Sequence, residues 1–190
     1  MTLKELLTRS RSYRRFHQDQ PLDEKTLVGL VGLSRLCPSA ANRQPLKYMI
    51  SWEPEKNAVI FSHLRWAAAL TDWPGPAKGE RPTGYIVILG DKRIAGSFNW
   101  DDGIVAQCML LGAAEQGLGG CMVGSIDRKG FRQALNIPEH LEILLVVALG
   151  EPKETVVLED GSPDEVPYWR NANDVHHVPK RPLDELLVKF

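Results

Sequence analysis

Tyr85-Ile86-Val87-Ile88-Leu89 is five residues of unbroken apolar or aromatic character. A strand with one face in water alternates apolar and polar side chains, and this run does not, so it predicts a strand covered on both faces. A second run, Ile143 to Leu149 (ILLVVAL), has the same character. Between them the chain reads as a helix from Asp101 or Asp102 to about Gln116, ended by Gly117. Ile104, Val105, Cys108, Met109, Leu110, Leu111, Ala113 and Ala114 make it apolar nearly all round, which suits the centre of a core or a subunit interface. One of its two leading aspartates reads as the helix cap; neighbouring carboxylates seldom converge as an acid–base pair.

Working outward, Thr2 caps a first helix over 2–8, with Leu3, Leu6 and Leu7 at helical spacing. Pro21 breaks the chain and Asp23 caps a second helix reaching about Leu36, in which Gly29 and Gly32 suggest close packing. A proline-bounded polar loop, residues 37–45, leads to a strand over 48–52 and then a helix over 55–70. Residues 72–83 (DWPGPAKGERPT) are loop, with Trp73 marking a candidate lid or partner contact. Cys121 to Ile126 is extended, Arg128 to Leu135 a short helix stopped before Pro138, residues 153–174 irregular, and a last short helix starts near Leu183. The expected fold is α+β, a layered sandwich whose central sheet is mainly antiparallel or mixed and flanked by helices, with residues 1–190 as a single domain.

The chain is 43% hydrophobic and 25% charged with a formal net charge of −1, so no global basic field recommends nucleic acid or an anionic membrane. No apolar run approaches a membrane span and no signal-peptide pattern opens the sequence. Three separated cysteines argue against a disulfide framework or zinc knuckle and for a reducing compartment, so the expected location is the cytoplasm. There is no phosphate-binding GxxxxGK[ST] loop, and Met122 stands where GxGxxG needs its third glycine. His176 and His177 are adjacent, so on extended chain they face opposite ways and do not share a metal; no metal site is expected.

What remains is an anion clamp. Arg11-Ser12-Tyr13-Arg14-Arg15-Phe16 carries three guanidiniums in five residues, each a planar donor fork suited to phosphate oxygens. Lys180 and Arg181 offer a second cationic pair, and Ser39 to Gln44 offers hydroxyl and amide groups suited to a polyol chain or the edge of a heteroaromatic ring. Phosphate, polyol and ring together describe a phosphorylated cofactor.

These stretches, with Pro-Ser-Ala-Ala-Asn-Arg-Gln-Pro at 38–45, Gly-Leu-Gly-Gly-Cys-Met-Val-Gly at 117–124, Ala-Leu-Gly-Glu-Pro-Lys at 148–153 and His-Val-Pro-Lys-Arg at 177–181, resemble the nitroreductase family of FMN-dependent oxidoreductases, in its shorter members. The resemblance implies an intertwined homodimer with FMN at the subunit interface. It implies that Arg11 and Ser12 hold the phosphate and ribityl chain, and that Arg14 lies near the pyrimidine edge. Pro38, Ser39, Asn42 and Gln44 would contact ribityl chain or ring, across the dimer if the geometry requires it. The Met122, Val123 and Gly124 backbone would approach the flavin's N5 side, and Lys180 or Arg181 would return to the phosphate. It further implies ping-pong hydride transfer from NADH or NADPH to a nitroaromatic, quinone or enone, with the chemistry carried by the flavin and no catalytic side chain named. The alternative is a flavin carrier or sensor without efficient turnover. The stretch between Pro45 and Tyr85 is short, which implies a small substrate lid.

Overall fold

The computed structural model describes residues 1–98, 100–162 and 166–188. Its centre is a four-stranded antiparallel sheet in the order β1 (Leu46–Ser51), β2 (Gly84–Asp91), β4 (Leu141–Gly150), β3 (Gly119–Val123). Every residue of β2 is buried, as the unbroken apolar run predicts. Its alternate side chains serve two cores. Tyr85, Val87 and Leu89 meet Ile60, Phe131, Val146 and Ala148 on one face, while Ile86 and Ile88 meet Leu27, Leu30, Met109, Val147 and Leu149 on the other. β4 is bulged between the partners of Ile88 and Leu89. Arg128 donates from Nε to the Ile143 carbonyl at 3.0 Å and from Nη2 to that of Leu144 at 3.2 Å, satisfying acceptors at the irregularity.

One layer beside the sheet holds α1 (Leu3–Arg9), α2 (Glu24–Ser34) and α4 (Asp101–Glu115). α1 begins with a capping box: Thr2 Oγ1 accepts from Glu5 N at 3.3 Å, and the Glu5 carboxylate accepts from Thr2 N at 2.7 Å. Asp23 caps α2 by accepting from Thr26 N at 2.8 Å. The other layer holds α3 (Pro54–Ser62) and α5 (Arg128–Ala134). A small second sheet is built from β5 (Val156–Asp160), β6 (Trp169–Arg170) and β7 (His176–Lys180), in the order β5-β7-β6, and α6 (Leu183–Leu186) follows it.

Four expectations are corrected. The helix expected over 55–70 ends at Ser62: His63 and Ser62 bond back to the Val59 carbonyl, Leu64 pairs with Ile126, and Ala67 takes a positive φ of 43°. Those last residues are drawn across the sheet to wall a cavity. Gly29 and Gly32 face open space rather than close packing; the close approach is at Gly112 of α4, where an added Cβ would collide with Leu33 Cδ1. Neither Asp101 nor Asp102 caps α4, whose N-cap is Trp100; buried Asp101 instead holds the 39–44 loop. Finally, residues 153–174 are not all irregular, because β5 and β6 pair with the tail strand β7. A partner distant in sequence supplies that order, so no local periodicity announces it.

Candidate active site

Residues 11–13 are an extended segment laid along β3, the edge strand of the central sheet: Ser12 forms a parallel bridge with Gly120, and Tyr13 N donates to the Gly120 carbonyl at 3.0 Å. Downstream, Phe16 is fully buried and bridges Pro152. The three arginines therefore project from a rigid rail, and they meet different fates.

Arg15 is structural. Its guanidinium is bidentate to Glu80, Nε to Oε2 and Nη2 to Oε1 each at 2.7 Å, and reaches Asp174 at 3.1 Å. The hydrogen bond from Arg15 in turn holds the Glu80 carboxyl down at about 2, helped by Lys153 at 3.0 Å. Arg11 donates from Nη2 to the Leu7 carbonyl, while its Nε is buried with no partner among the described residues. Burial pulls its pKa below the ordinary arginine value, with Tyr13 opposing the shift. It lines an open groove of about 450 Å³ with Lys4, Thr8, Leu158 and Lys180. No described carboxylate pairs with Arg11 or Lys180. Arg181 turns away and pairs with Glu185 at 3.3 Å.

Arg14 enters a larger cavity, about 560 Å³, whose floor is Cys121 to Ser125 and whose walls include Trp66, Trp73 and Tyr168. Its guanidinium lies 4.8 Å from the Tyr168 ring centroid and 3.3 Å from His176 Nε2. A guanidinium only donates, so Nε2 is the acceptor and the imidazole proton sits on Nδ1, which is buried without a partner among the described residues. Burial, then the Arg14 charge, push the His176 pKa down to about 4. His177 faces the other way, stacked on Trp169 and 2.9 Å from Glu159, as alternation on an extended strand requires. No group of metal ligands assembles among the described residues.

Ser39, Asn42 and Gln44 lie apart from this cavity. Ser39 Oγ donates to Asp101 Oδ2 at 2.5 Å and accepts from Gln44 N at 3.0 Å. Asn42 and Gln44, both at positive φ, are joined side chain to side chain at 3.1 Å. Pro38, Ser39 and Gln44 line a separate recess of about 160 Å³ with Tyr48.

This fold recurs in solved proteins. A nitroreductase family protein from Streptococcus pneumoniae TIGR4 superposes with a TM-score of 0.71 over all of both chains at 18% identity. An FMN-dependent nitroreductase from Clostridium difficile R20291 gives 0.68 at 21% identity, covering 99% of this chain and 98% of that one. Those likenesses define the fold. In sequence, residues 68–151 match the family model described as the nitroreductase family. A "Putative NADH dehydrogenase/NAD(P)H nitroreductase" from Methanothermobacter thermautotrophicus is 28% identical over 160 residues, 81% of this chain and 79% of the relative. Residues 68–151 are thus similar to the nitroreductase family, and the fold is the one that family's solved members share. As a nitroreductase-fold protein it contains no helix, among its described residues, long and apolar enough to cross a membrane.

Of the expected residues, this fold brings Arg14, Met122, Val123 and Gly124 to one cavity and Arg11 and Lys180 to one groove. It leaves Pro38, Ser39, Asn42, Gln44 and Arg181 elsewhere in the same chain. Sequence reading missed Glu154. Its carboxylate is fully enclosed, accepts the backbone N–H groups of Arg14 and Arg15, and meets Arg170 at 2.9 Å. Arg170 also stacks on Trp73, 4.8 Å from its centroid. Glu154 thus fixes the rail and, through Arg170, the cavity wall. Nothing in the surrounding Glu151-Pro152-Lys153 sequence singles Glu154 out.

Proposed function

We propose that this protein is an FMN-dependent oxidoreductase that takes hydride from NADH or NADPH and delivers it to a small acceptor such as a nitroaromatic, quinone or enone. The observation that carries the reading is that Arg14 enters a cavity of about 560 Å³ while Arg11, on the same extended segment, lines a groove with Lys180, none of the three paired with a carboxylate among the described residues. Arg11 to Arg14 spans about 10 Å of extended chain, a separation suited to a phosphate joined to a ring by a short polyol. The buried, unpartnered Arg11 Nε fits such a group as well, because burial without a counter-charge favours an incoming anion.

FMN, when bound, supplies reversible hydride acceptance that no side chain here can perform. The protein's part is binding and electrostatics. Arg11 and Lys180 would hold the phosphate, with Ser12 beside them. Arg14, fixed by His176 and Tyr168, would place positive charge where the reduced ring accumulates negative charge, favouring reduction. The β3 backbone at Met122 to Gly124 would form the floor beneath the ring, and Trp66 and Trp73 would exclude water from it. Ser39, Asn42 and Gln44, remote from Arg14 within one chain, would serve the site of a second subunit in a homodimer. Exposed Val28, Leu36, Trp100 and Ile104 provide apolar surface for that association. Residues 1–190 would act as one domain of that dimer.

The test is a visible spectrum of the purified protein, supplied with FMN if needed, followed by anaerobic NADH and then NADPH. The expected result is a flavin spectrum bleached by at least one nucleotide. A flavin spectrum that neither bleaches would replace this reading with a carrier or sensor, and failure to retain FMN would end it.

A further inference from the structure

A second, smaller cavity of about 100 Å³ lies between α3 and the start of β2. Three residues that line it, Arg81, Thr83 and Tyr85, each carry a buried polar atom with no partner among the described residues: Nε, Oγ1 and the phenol oxygen. Tyr85 is 0% and Thr83 6% exposed, so bulk solvent does not reach those residues. The polar groups beside Thr83 are paired. Thr83 N donates to Leu149 and its carbonyl accepts from Asn57 Nδ2 at 2.9 Å, while Asn57 Oδ1 accepts from Ser51 at 2.7 Å. Buried polar groups are paired in most folded proteins, so three orphans around one cavity point to a ligand.

Charge and shape define its class. The Arg81 guanidinium lies over the Phe61 ring, 4.2 Å from the centroid, and no described carboxylate pairs with it. Of the acidic residues adjoining the cavity walls in sequence, Glu80 is committed to Arg15 and Lys153, and Glu53 to Lys56. A guanidinium N–H can only donate and both hydroxyls can donate, a set that calls for an acceptor, and Arg81 makes an anion the better one. Trp52, Pro54 and Phe61 supply apolar wall. The volume is well below the roughly 300–1,000 Å³ of sites for larger organic ligands, which excludes a nucleotide or flavin.

We propose that this cavity binds a short-chain monocarboxylate, its carboxylate held by Arg81, Thr83 and Tyr85 and its alkyl end against Trp52 and Phe61. The site is separate from the Arg14 cavity and does not depend on flavin chemistry.

Sodium propionate, titrated into the full-length protein against sodium chloride at matched ionic strength, should raise the melting temperature saturably at millimolar concentration, where chloride does not. Thr83→Val, which keeps the backbone pairing and nearly the same shape, should weaken the propionate response at least tenfold, and Arg81→Met should abolish it. Arg14→Ala should leave it intact. No saturable response beyond chloride, a response undiminished in folded Thr83→Val protein, or one lost in Arg14→Ala would each overturn the assignment. So would a crystal structure grown in propionate with only water in the cavity.

Discussion

Replacing Glu154 by glutamine keeps the side-chain volume and a carbonyl oxygen but removes the negative charge. In the folded protein that charge is fully enclosed and faces Arg170, whose own side chain is only 11% exposed. It also receives the Arg14 and Arg15 amides on its other oxygen. The amides can still bond to a glutamine oxygen, at the lower strength of a neutral acceptor. Arg170 cannot be served so well: it would be left buried without its counter-charge, and an amide N–H₂ in that position would meet it donor to donor. Breaking one member of a buried ion pair costs about 3–5 kcal/mol. For a chain of this size that corresponds to a fall in melting temperature on the order of 10 °C. Chemical denaturation of Glu154→Gln, Arg170→Met and the double variant supplies the measurement. The double variant should recover a large part of the loss, because no lone charge stays behind. A single-variant cost below about 1 kcal/mol, or strict additivity in the double variant, would refute the claim that this pair anchors the rail.

Arg11→Ala should weaken FMN retention by about 1.5–3 kcal/mol, roughly tenfold to more than a hundredfold, measured by fluorescence on dilution; unchanged retention would misplace the phosphate. Glu80, depressed to about 2, gives stability that is fully present above its unfolded pKa near 4.5 and is lost as pH falls through about 2. Melting temperature should therefore fall across that window, and Glu80→Gln should flatten the fall while costing stability near neutrality; a variant with the parental acid profile would contradict it. His176, pushed down to about 4, is neutral at pH 7 and costs stability as pH drops from about 6.5 toward 4; NMR titration of its ring should show no protonation above about pH 5. In Gly120→Ala the new Cβ would meet the Ala148 carbonyl oxygen at 2.5 Å, a backbone atom that cannot rotate aside, so a loss of about 1–3 kcal/mol is expected in thermal melts.

Chain order alone was enough for the parts of this protein set by local periodicity and by residue chemistry. β2 and β4 were legible because burial on both faces demands an uninterrupted apolar run, and α4 because a central helix must be apolar on most sides. The caps of α1 and α2 were legible because Thr2 and Asp23 bond to amides within the next few residues. The arginine cluster stood out because guanidiniums are costly to place without acceptors, but its three members look alike in sequence. Only tertiary contacts separate them: Glu80, remote in sequence, consumes Arg15, whereas Arg14 is left free of carboxylates and pointed into a cavity. The same holds for the end of α3, where pairing between Leu64 and Ile126 overrides continuing helical character, and for β5, where parallel pairing with β7 rather than any local alternation makes a strand of Val156–Asp160. Glu154 is the sharpest case. One carboxylate among many becomes the anchor of the rail only when folding removes it from water and delivers two amides and a guanidinium to it. Local propensity acts over a few residues, whereas desolvation and ion pairing depend on which distant groups arrive together, and the packed structure alone decides that.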